Sequence, residues 1–566
     1  LIGVIPKKHQ IEVVEEFFEL FKTPWELYRP GRTYDVIIST AEEIPEEYPR
    51  LLLVYGETKK RMDERLGITP NGQHRHAIIS HRGMPIPVYG NLLAFESSSK
   101  GLCCATVNTE IAGLIISLPG STVLRFGYDL FDEVQFLLSA GQPPENAGIP
   151  TLELHIALLR QWILDAGIPL LEIPATPAGH SFFVCLTHDI DFVGIRNHLF
   201  DHSMWGFVYR ATFGAVRNYI RGRISWTRLL RSWIAVVSLP FVYAGWVRDF
   251  WEPFAWYLKA EDGLPSTYFL IPFGRRPGKN VSGSHASRRA AAYDINEISH
   301  WIGILLRRGC ELGVHGIDAW HSEQKGRDEL SKLAGVTNES SIGIRMHWLL
   351  RNANTPSILE RAGYAYDSTL GYNETVGYRA GTSQVFRPLD AQTLLELPLH
   401  IQDGALFYPS RLNLSEPEAE KRCKLLIDDA GKFGGVLTIL WHDRSHAPER
   451  FWGDFYVKLL QTLKSHNAWF GTAAQVVDWF QKRREVRFEW FNSSGNALMR
   501  LRYDGNEIEP PLRIRVYGTL HRSQIGESAR NPRFIDVPWN GKSMHELEIP
   551  AAFSTYNHSG VRFSVS

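Results

Sequence analysis

The 566-residue sequence has no surplus of either charge: 61 lysines and arginines stand against 61 aspartates and glutamates, a formal net charge of zero. Nothing in that balance asks for a polyanionic partner, so no nucleic acid is expected. Cysteine is scarce. Cys103, Cys104, Cys185, Cys310 and Cys423 are odd in number, scattered and without CxxC spacing, which speaks against a zinc ribbon or a disulfide framework and suits a reducing compartment. Membrane-length apolar runs are missing as well: the run from Trp233 to Val247 is about 15 residues with Pro240 inside it, short of the ~20 that a spanning helix needs. The opening stretch LIGVIPKKHQIEVVEEFFEL has no basic segment followed by a long apolar one, so no secretory signal is read there and a cytoplasmic location is expected. Repeats and low-complexity tracts are absent too.

What is present is a long chain, rich in aromatics. At ~100–200 residues per domain the length suggests three modules, each able to bury its own core. Aromatic residues make up 12% of the chain, with 17 tryptophans; flat rings suit sugar faces, although a single Trp is more often core. Residues 1–175 mix helical stretches such as HQIEVVEEFFELF with short apolar strands such as YDVIIST, and read as an α/β domain without catalytic spacing. TPAGHS reads as the linker out of it. From 181 to 483, strand and helix alternate. FFVCLTH, STYFLIPF, CELGVH, SIGIRMH, YAYDSTL and GVLTILWH are apolar and end in polar or ionisable residues, with helical segments between them, among them TPSILERAG with Thr355 as cap, Pro356 at the first position and Gly363 as stop. Parallel strands whose C-terminal ends carry polar groups are how a β/α barrel builds a site on one face. Residues 195–260 interrupt the pattern with an aromatic-rich helical insertion. It is expected to pack on the barrel, with peripheral membrane contact as the alternative, favoured by Arg217, Arg221, Arg223, Arg228 and Arg231. Short alternating segments over 486–566 read as a small C-terminal β-sandwich.

The strand ends bring Asp189, Asp191, His315, Arg345, His347 and His442 to one expected face. A first-row metal such as zinc takes imidazole nitrogen and carboxylate oxygen, and a catalytic site holds three protein ligands with one position left open. One Asp and two His would suffice. His188, beside Asp189 in VCLTHDIDFVG, should point the other way if strand alternation holds.

THDID after an apolar strand, then STYFLIPF, ELGVHGIDAWHS, GIRMHWLL, TPSILERAGYAYDST and LTILWHD, resemble in order and spacing the polysaccharide deacetylase family, carbohydrate esterase family four, over residues 181–483. The resemblance implies a distorted (β/α) barrel and a divalent metal held by one Asp and two His. It also implies a metal-activated water that removes an acetyl group from a glycan or amino-sugar conjugate. It makes Asp189 the catalytic base, Asp191 and His315 metal ligands, Arg345 the residue that orients the base, and His442 the general acid. The family's second metal His falls on Ala319 here. His321, in the same loop, or His347, at the end of the next strand, takes its place, and His347 is favoured because it ends a strand aimed at the same mouth. Arg379, in GYRAGTS, either clamps substrate oxygens or anchors its loop; His400 and Asp403, in LELPLHIQDG, are candidate supporting partners. Zinc is the expected metal, with cobalt, nickel and manganese as alternatives. Two rival readings are a metal-dependent amidohydrolase acting on a non-sugar amide, and a degenerate barrel that binds carbohydrate or serves assembly, for which the loss at Ala319 is the motive.

Overall fold

All eight residues of the Phe183–Ile190 strand are buried, which is the environment of a parallel strand covered on both faces. In the computed structural model, which describes residues 1–279, 289–493, 496–518, 534–542, 545–548 and 563–565, this strand lies inside a parallel sheet. The path runs Leu395–Glu396, Tyr366–Asp367, Ile344–Met346, Glu311–Gly316, Ser266–Leu270, Phe183–Ile190, Val436–Leu440 and Ile401–Gln402, with Trp469–Phe470 also paired to Phe183–Ile190. The two ends of that path, Glu396 and Ile401, are five residues apart in the chain. Laid flat, seven strand spacings would separate them by ~34 Å, yet five residues reach at most ~17 Å. The sheet therefore curls, and its strand ends converge on one mouth. Helices including Ser299–Arg307, Glu323–Thr337, Thr355–Ala362, Glu416–Phe433 and Trp452–Lys464 connect the strands. Thr355 opens its helix rather than capping it: its hydroxyl donates to the Trp320 carbonyl at 2.8 Å, while Gly363, at φ 96°, stops the helix as expected.

The chain divides into two compact units, of which this sheet belongs to the one made of residues 180–379 and 383–477. The same unit contains the insertion as helices His202–Tyr209, Ala215–Ile220, Trp226–Tyr243 and Phe254–Glu261, with a five-residue π-turn from Arg210 to Gly214. No helix among the described residues is long and apolar enough to cross a membrane.

The other unit joins residues 1–179 and 380–382 to residues 478–566. Its large sheet begins with five parallel strands, in the order Trp25–Leu27, Ile2–Ile5, Val36–Ser39, Leu51–Tyr55 and Ser121–Phe126. It continues with Glu110–Leu118, Met84–Phe95, Pro70–His81 and Leu102–Val107, paired antiparallel. The segment read as a separate sandwich over 486–566 supplies Leu512–Tyr517, which pairs antiparallel with Leu170–Glu172 as well as with Phe534–Trp539; residues 494–495, 519–533, 543–544, 549–562 and 566 of that segment lie outside the described residues. Within this unit Arg483 is fully buried and spends its guanidinium on the carbonyls of Glu19, Leu20 and Ile173 at 2.7–3.0 Å. Arg483→Met leaves those carbonyls buried without donors, so we expect a loss of about 3–5 kcal/mol in urea unfolding of this unit, read as a lowered midpoint.

Candidate metal centre

Along the Phe183–Ile190 strand the pleat turns alternate side chains to opposite faces. His188 goes to the packed side: its Nδ1 donates to the Trp441 carbonyl at 2.9 Å, its Nε2 lies 2.6 Å from Glu261 Oε1, and its ring rests 3.8 Å from that of Tyr257. Thr187 and Asp189 go to the other side, where Arg345 meets them.

Arg345 sits on the Ile344–Met346 strand and is wholly buried. Its Nη1 donates to Thr187 Oγ1 at 2.7 Å and to Asp189 Oδ1 at 3.1 Å; its Nε and Nη2 donate to the Ser368 carbonyl and hydroxyl at 3.0 and 2.8 Å; its guanidinium lies 4.5 Å from the centre of the Phe269 ring. A buried cation needs its donors paired, and here four hydrogen bonds and a ring face do that. The consequence for Asp189 is a fixed orientation, with Oδ2 3.8 Å from His315 Nε2.

Asp191, His315 and His347 converge. His315 Nε2 is 3.4 Å and His347 Nε2 3.5 Å from Asp191 Oδ1, and the three ligand atoms all lie within 4.8 Å of one another. Among the described residues this is the one group of three or more such side chains able to hold an ion. Two features test the fit. Asp191 Oδ1 is buried and has no hydrogen-bond partner, an expense that a cation would relieve. Ligand bonds of ~2.0–2.1 Å in tetrahedral array place donor atoms ~3.3 Å apart, close to the two measured separations. The Nδ1 of His315 donates to the Arg345 carbonyl at 3.0 Å, which leaves the Nε2 lone pair facing Asp191 and fixes the ring as an outer partner does in metal sites.

Charge shapes the same cluster. Burial would raise the Asp191 carboxyl, but the facing imidazoles of His347 and His315 hold it well below the usual carboxylate range. Burial pushes His347 down to about 4, only partly opposed by Asp191, so its ring is neutral at pH 7 with a free lone pair. On His315 burial is outweighed by Asp189 and Asp191, and its pKa is raised. A cation bound there would displace that proton.

His442 follows the Val436–Leu440 strand. Its Nδ1 lies 2.5 Å from Asp403 Oδ1, and its backbone N–H donates to Asp403 Oδ2 at 2.9 Å. Asp403 is fully buried, and also accepts from the Ser445 hydroxyl and from the Gly404 amide at 2.6 Å. Burial opposes the imidazolium, yet Asp403, aided by Asp191 and Asp189, pushes His442 up to about 10. The ring keeps 22% of its surface open, so it can meet a ligand. Next to it Asp443, buried and accepting from the backbone of Phe192 and Arg444, is pushed up to about 7 by burial and by the Asp191 charge.

Three expected participants lie elsewhere. His321 Nε2 is 3.3 Å from Asp318 Oδ1 and is not part of the Asp191 cluster. Ala319, where the resemblance expects a ligand, is buried in the core. Arg379 donates to the Gly371 carbonyl at 2.7 Å and lies 5.7 Å from the centre of the Tyr372 ring, an anchor for its loop rather than a partner of Asp189 or Asp191. Thr187, Ser368, Ser445 and Asp443 were not singled out from sequence. Their one signal was position beside a strand-end motif, which does not say which strand they will face.

No protein-family model and no curated protein matches the chain. Polysaccharide deacetylases and members of carbohydrate esterase family four are among the solved structures similar to it. A Mycobacterium smegmatis protein described as a polysaccharide deacetylase is 17% identical, over 55% of this chain and 95% of its own, at a TM-score of 0.34. Agd3, described as a novel carbohydrate deacetylase, is 10% identical over 96% of this chain and 98% of its own, at 0.38. Puue allantoinase is 15% identical over 54% and 92%, at 0.33.

His347→Ala should abolish stoichiometric binding of zinc or cobalt while His321→Ala retains it, measured by metal analysis after dialysis. Equal retention in both would exclude His347 as a ligand. Because His315 must lose a proton, metal uptake should weaken as pH falls and should release protons, detectable by calorimetry in buffers of different ionisation enthalpy.

Proposed function

We propose that the chain is a metal-dependent hydrolase that removes acetyl groups, in the first place N-acetyl, from a glycan or amino-sugar conjugate. The observation that carries this reading is the meeting, at one mouth, of three unlike parts: the Asp191–His315–His347 cluster, a carboxylate aimed by Arg345, and an imidazole held by Asp403. The motif order in the sequence supports the acetyl-sugar class.

A divalent cation held by Asp191, His315 and His347 would supply Lewis acidity, polarising a carbonyl and acidifying water. Asp189, whose Oδ1 is tied to Arg345, keeps Oδ2 on the cluster side, where it would take the proton of the attacking water. Arg345 acts as a positioning residue, since its donors are spent on Asp189, Thr187 and Ser368. His442 carries its proton on the exposed side of the ring while Asp403 holds Nδ1, and would protonate the departing nitrogen. The division of labour between base and acid follows from unlike environments: one carboxylate is held by a guanidinium, and one imidazole is held charged by a carboxylate. The degenerate-barrel alternative was motivated by Ala319. His347 supplies a third ligand atom from a different element, which favours the enzyme reading.

Acetate release from acetylated chito-oligosaccharides, acetylated xylan and simple acetamides, assayed with zinc or cobalt added, tests the reading; activity on none of them with metal bound would sink it. Asp189→Asn should lower kcat by about 10²–10⁴ and keep the metal. Loss of metal from a folded variant would show that Asp189 is a ligand. Asp403→Asn should lower the pKa of His442, because the carboxylate is what raises it. A general acid works only while protonated, so the basic limb of the kcat profile should move to lower pH, with KM changed little. The sign for stability is the same: a pKa raised from 6.5 to about 10 gives stabilisation that is complete below the lower value and lost through the upper.

A further inference from the structure

Independently of that chemistry, the insertion presents an apolar surface that the fold leaves uncovered. Of 25 exposed large hydrophobic side chains among the described residues, 15 lie between Leu199 and Val247, less than a tenth of the chain. Phe213 is 74% exposed, and Ile220 and Trp246 are each 78% exposed. The Trp226–Tyr243 helix shows why this is not ordinary surface. One face, with Leu229, Ser232, Ala235, Leu239 and Val242, is buried, and the last three of these pack with Phe207, Ala211 and Trp251. The opposite face, where a surface helix carries charge, has Leu230, Trp233, Ile234, Val237 and Phe241, all exposed. Across from it, Trp205, Tyr209 and Phe213 follow at helical spacing, and a groove of about 610 Å³ lined by Phe213, Val216, Ile220, Trp233, Arg217 and Arg221 opens between the two.

The charge here has one sign. From His202 to Arg248 the sequence contains seven arginines and neither aspartate nor glutamate, in a chain whose total is neutral. Four of the seven have partners in the protein: Arg210 faces Glu449, Arg228 bridges Glu416 and Asp454, Arg223 meets Asn413, and Arg248 pairs with Glu252. Arg217, Arg221 and Arg231 are exposed and have no ion pair among the described residues. Two of these three line the groove.

We propose that this face seats on an anionic membrane surface, with the exposed rings and aliphatic side chains at the boundary of headgroups and acyl chains and with Arg217, Arg221 and Arg231 against lipid phosphates. Tryptophan, tyrosine and arginine around an apolar strip are the side chains that settle at that depth, since each has an apolar body and a polar end. The helices lie in the interface and do not cross it, in keeping with their length and with Pro240 inside the longest. Charge complementarity decides for lipid over a second copy of the chain, because two copies meeting through this face would oppose arginine to arginine with no acid between 202 and 248 to answer it. The insertion also grips the segment after His442: Ser232 Oγ donates to the Pro448 carbonyl at 2.8 Å, and the Arg444 guanidinium lies 4.7 Å from the Trp251 ring centre. Docking would thus bring the mouth of the barrel close to the membrane surface.

The test is co-sedimentation of the full chain with vesicles of phosphatidylcholine alone and of phosphatidylcholine mixed with phosphatidylglycerol. Binding to the mixed vesicles, weakened by salt, and little binding to phosphatidylcholine alone is the expected result. Arg217→Gln, Arg221→Gln and Arg231→Gln should each reduce partitioning roughly fivefold, and together on the order of a hundredfold; Phe213→Ser with Ile220→Ser should reduce it with the charges intact. All five positions are exposed, so the thermal midpoint should not move, which separates a binding defect from misfolding. No binding to the mixed vesicles, or binding that these variants leave unchanged, overturns the proposal. So does self-association in sedimentation velocity that Phe213→Ser with Ile220→Ser abolishes while no vesicle binding is seen, which would assign the face to a second copy.

Discussion

The guanidinium of Arg345 is the constraint on which the rest of the centre depends. A cation with no water around it must find acceptors for its donors, and the acceptors it finds tie three strands together: Thr187 and Asp189 lie on one, Ser368 lies beyond the end of another, and Arg345 itself is on a strand between them. The same residue's carbonyl receives the Nδ1 hydrogen of His315. One side chain and one peptide group therefore set the aim of the proposed base and the rotamer and tautomer of a proposed ligand at once. The cost of burying the charge is offset by pairing, and what the fold gains is a carboxylate that cannot swing.

A parallel arrangement exists on the far side of the mouth with the charges exchanged. There the buried group is an anion, Asp403, with its oxygens accepting from His442, Ser445 and Gly404. The proposed base and acid thus each have a buried group of opposite charge behind them, Arg345 and Asp403. This symmetry of support sets a carboxylate aimed by a cation and an imidazole held charged by a carboxylate at the same sheet.

Much of this was legible in the sequence because a parallel strand buried on both faces leaves a plain mark, an apolar run that ends in a polar residue. Asp189, Asp191, His315, Arg345, His347 and His442 all carry that mark, and period-two alternation was enough to set His188 apart. What sequence could not supply is which strands become neighbours. The partners Thr187 and Ser368 follow from the order of the sheet, a property of the whole unit, as does the assignment of Asp403, already a candidate from sequence, to His442. Arg379 drew notice as a charged residue in a loop, and loops do not announce whether their cations face a site or their own backbone. The 486–566 segment shows the same limit at a larger scale: its alternation announced strands, but the pairing of Leu171 with Val516 crosses some 340 residues of chain, and no local signal encodes a partner that far away. In the insertion the sequence shows aromatic-rich helical segments with arginines nearby, and only the fold shows which face stays exposed.

One consequence of the strand pairing bears on the choice of ion. His315 is in register with Arg345, two residues ahead of His347, and the two imidazole rings stand 4.9 Å apart, centre to centre, about one inter-strand spacing. His315 is thus held in a hydrogen-bonded ladder, whereas His347 opens the turn His347–Leu349 just past the last paired residue, Met346. An ion bound there would meet one ligand fixed by the sheet and one on an adjustable turn, so the pair would favour a short bite without closing the site to longer bonds.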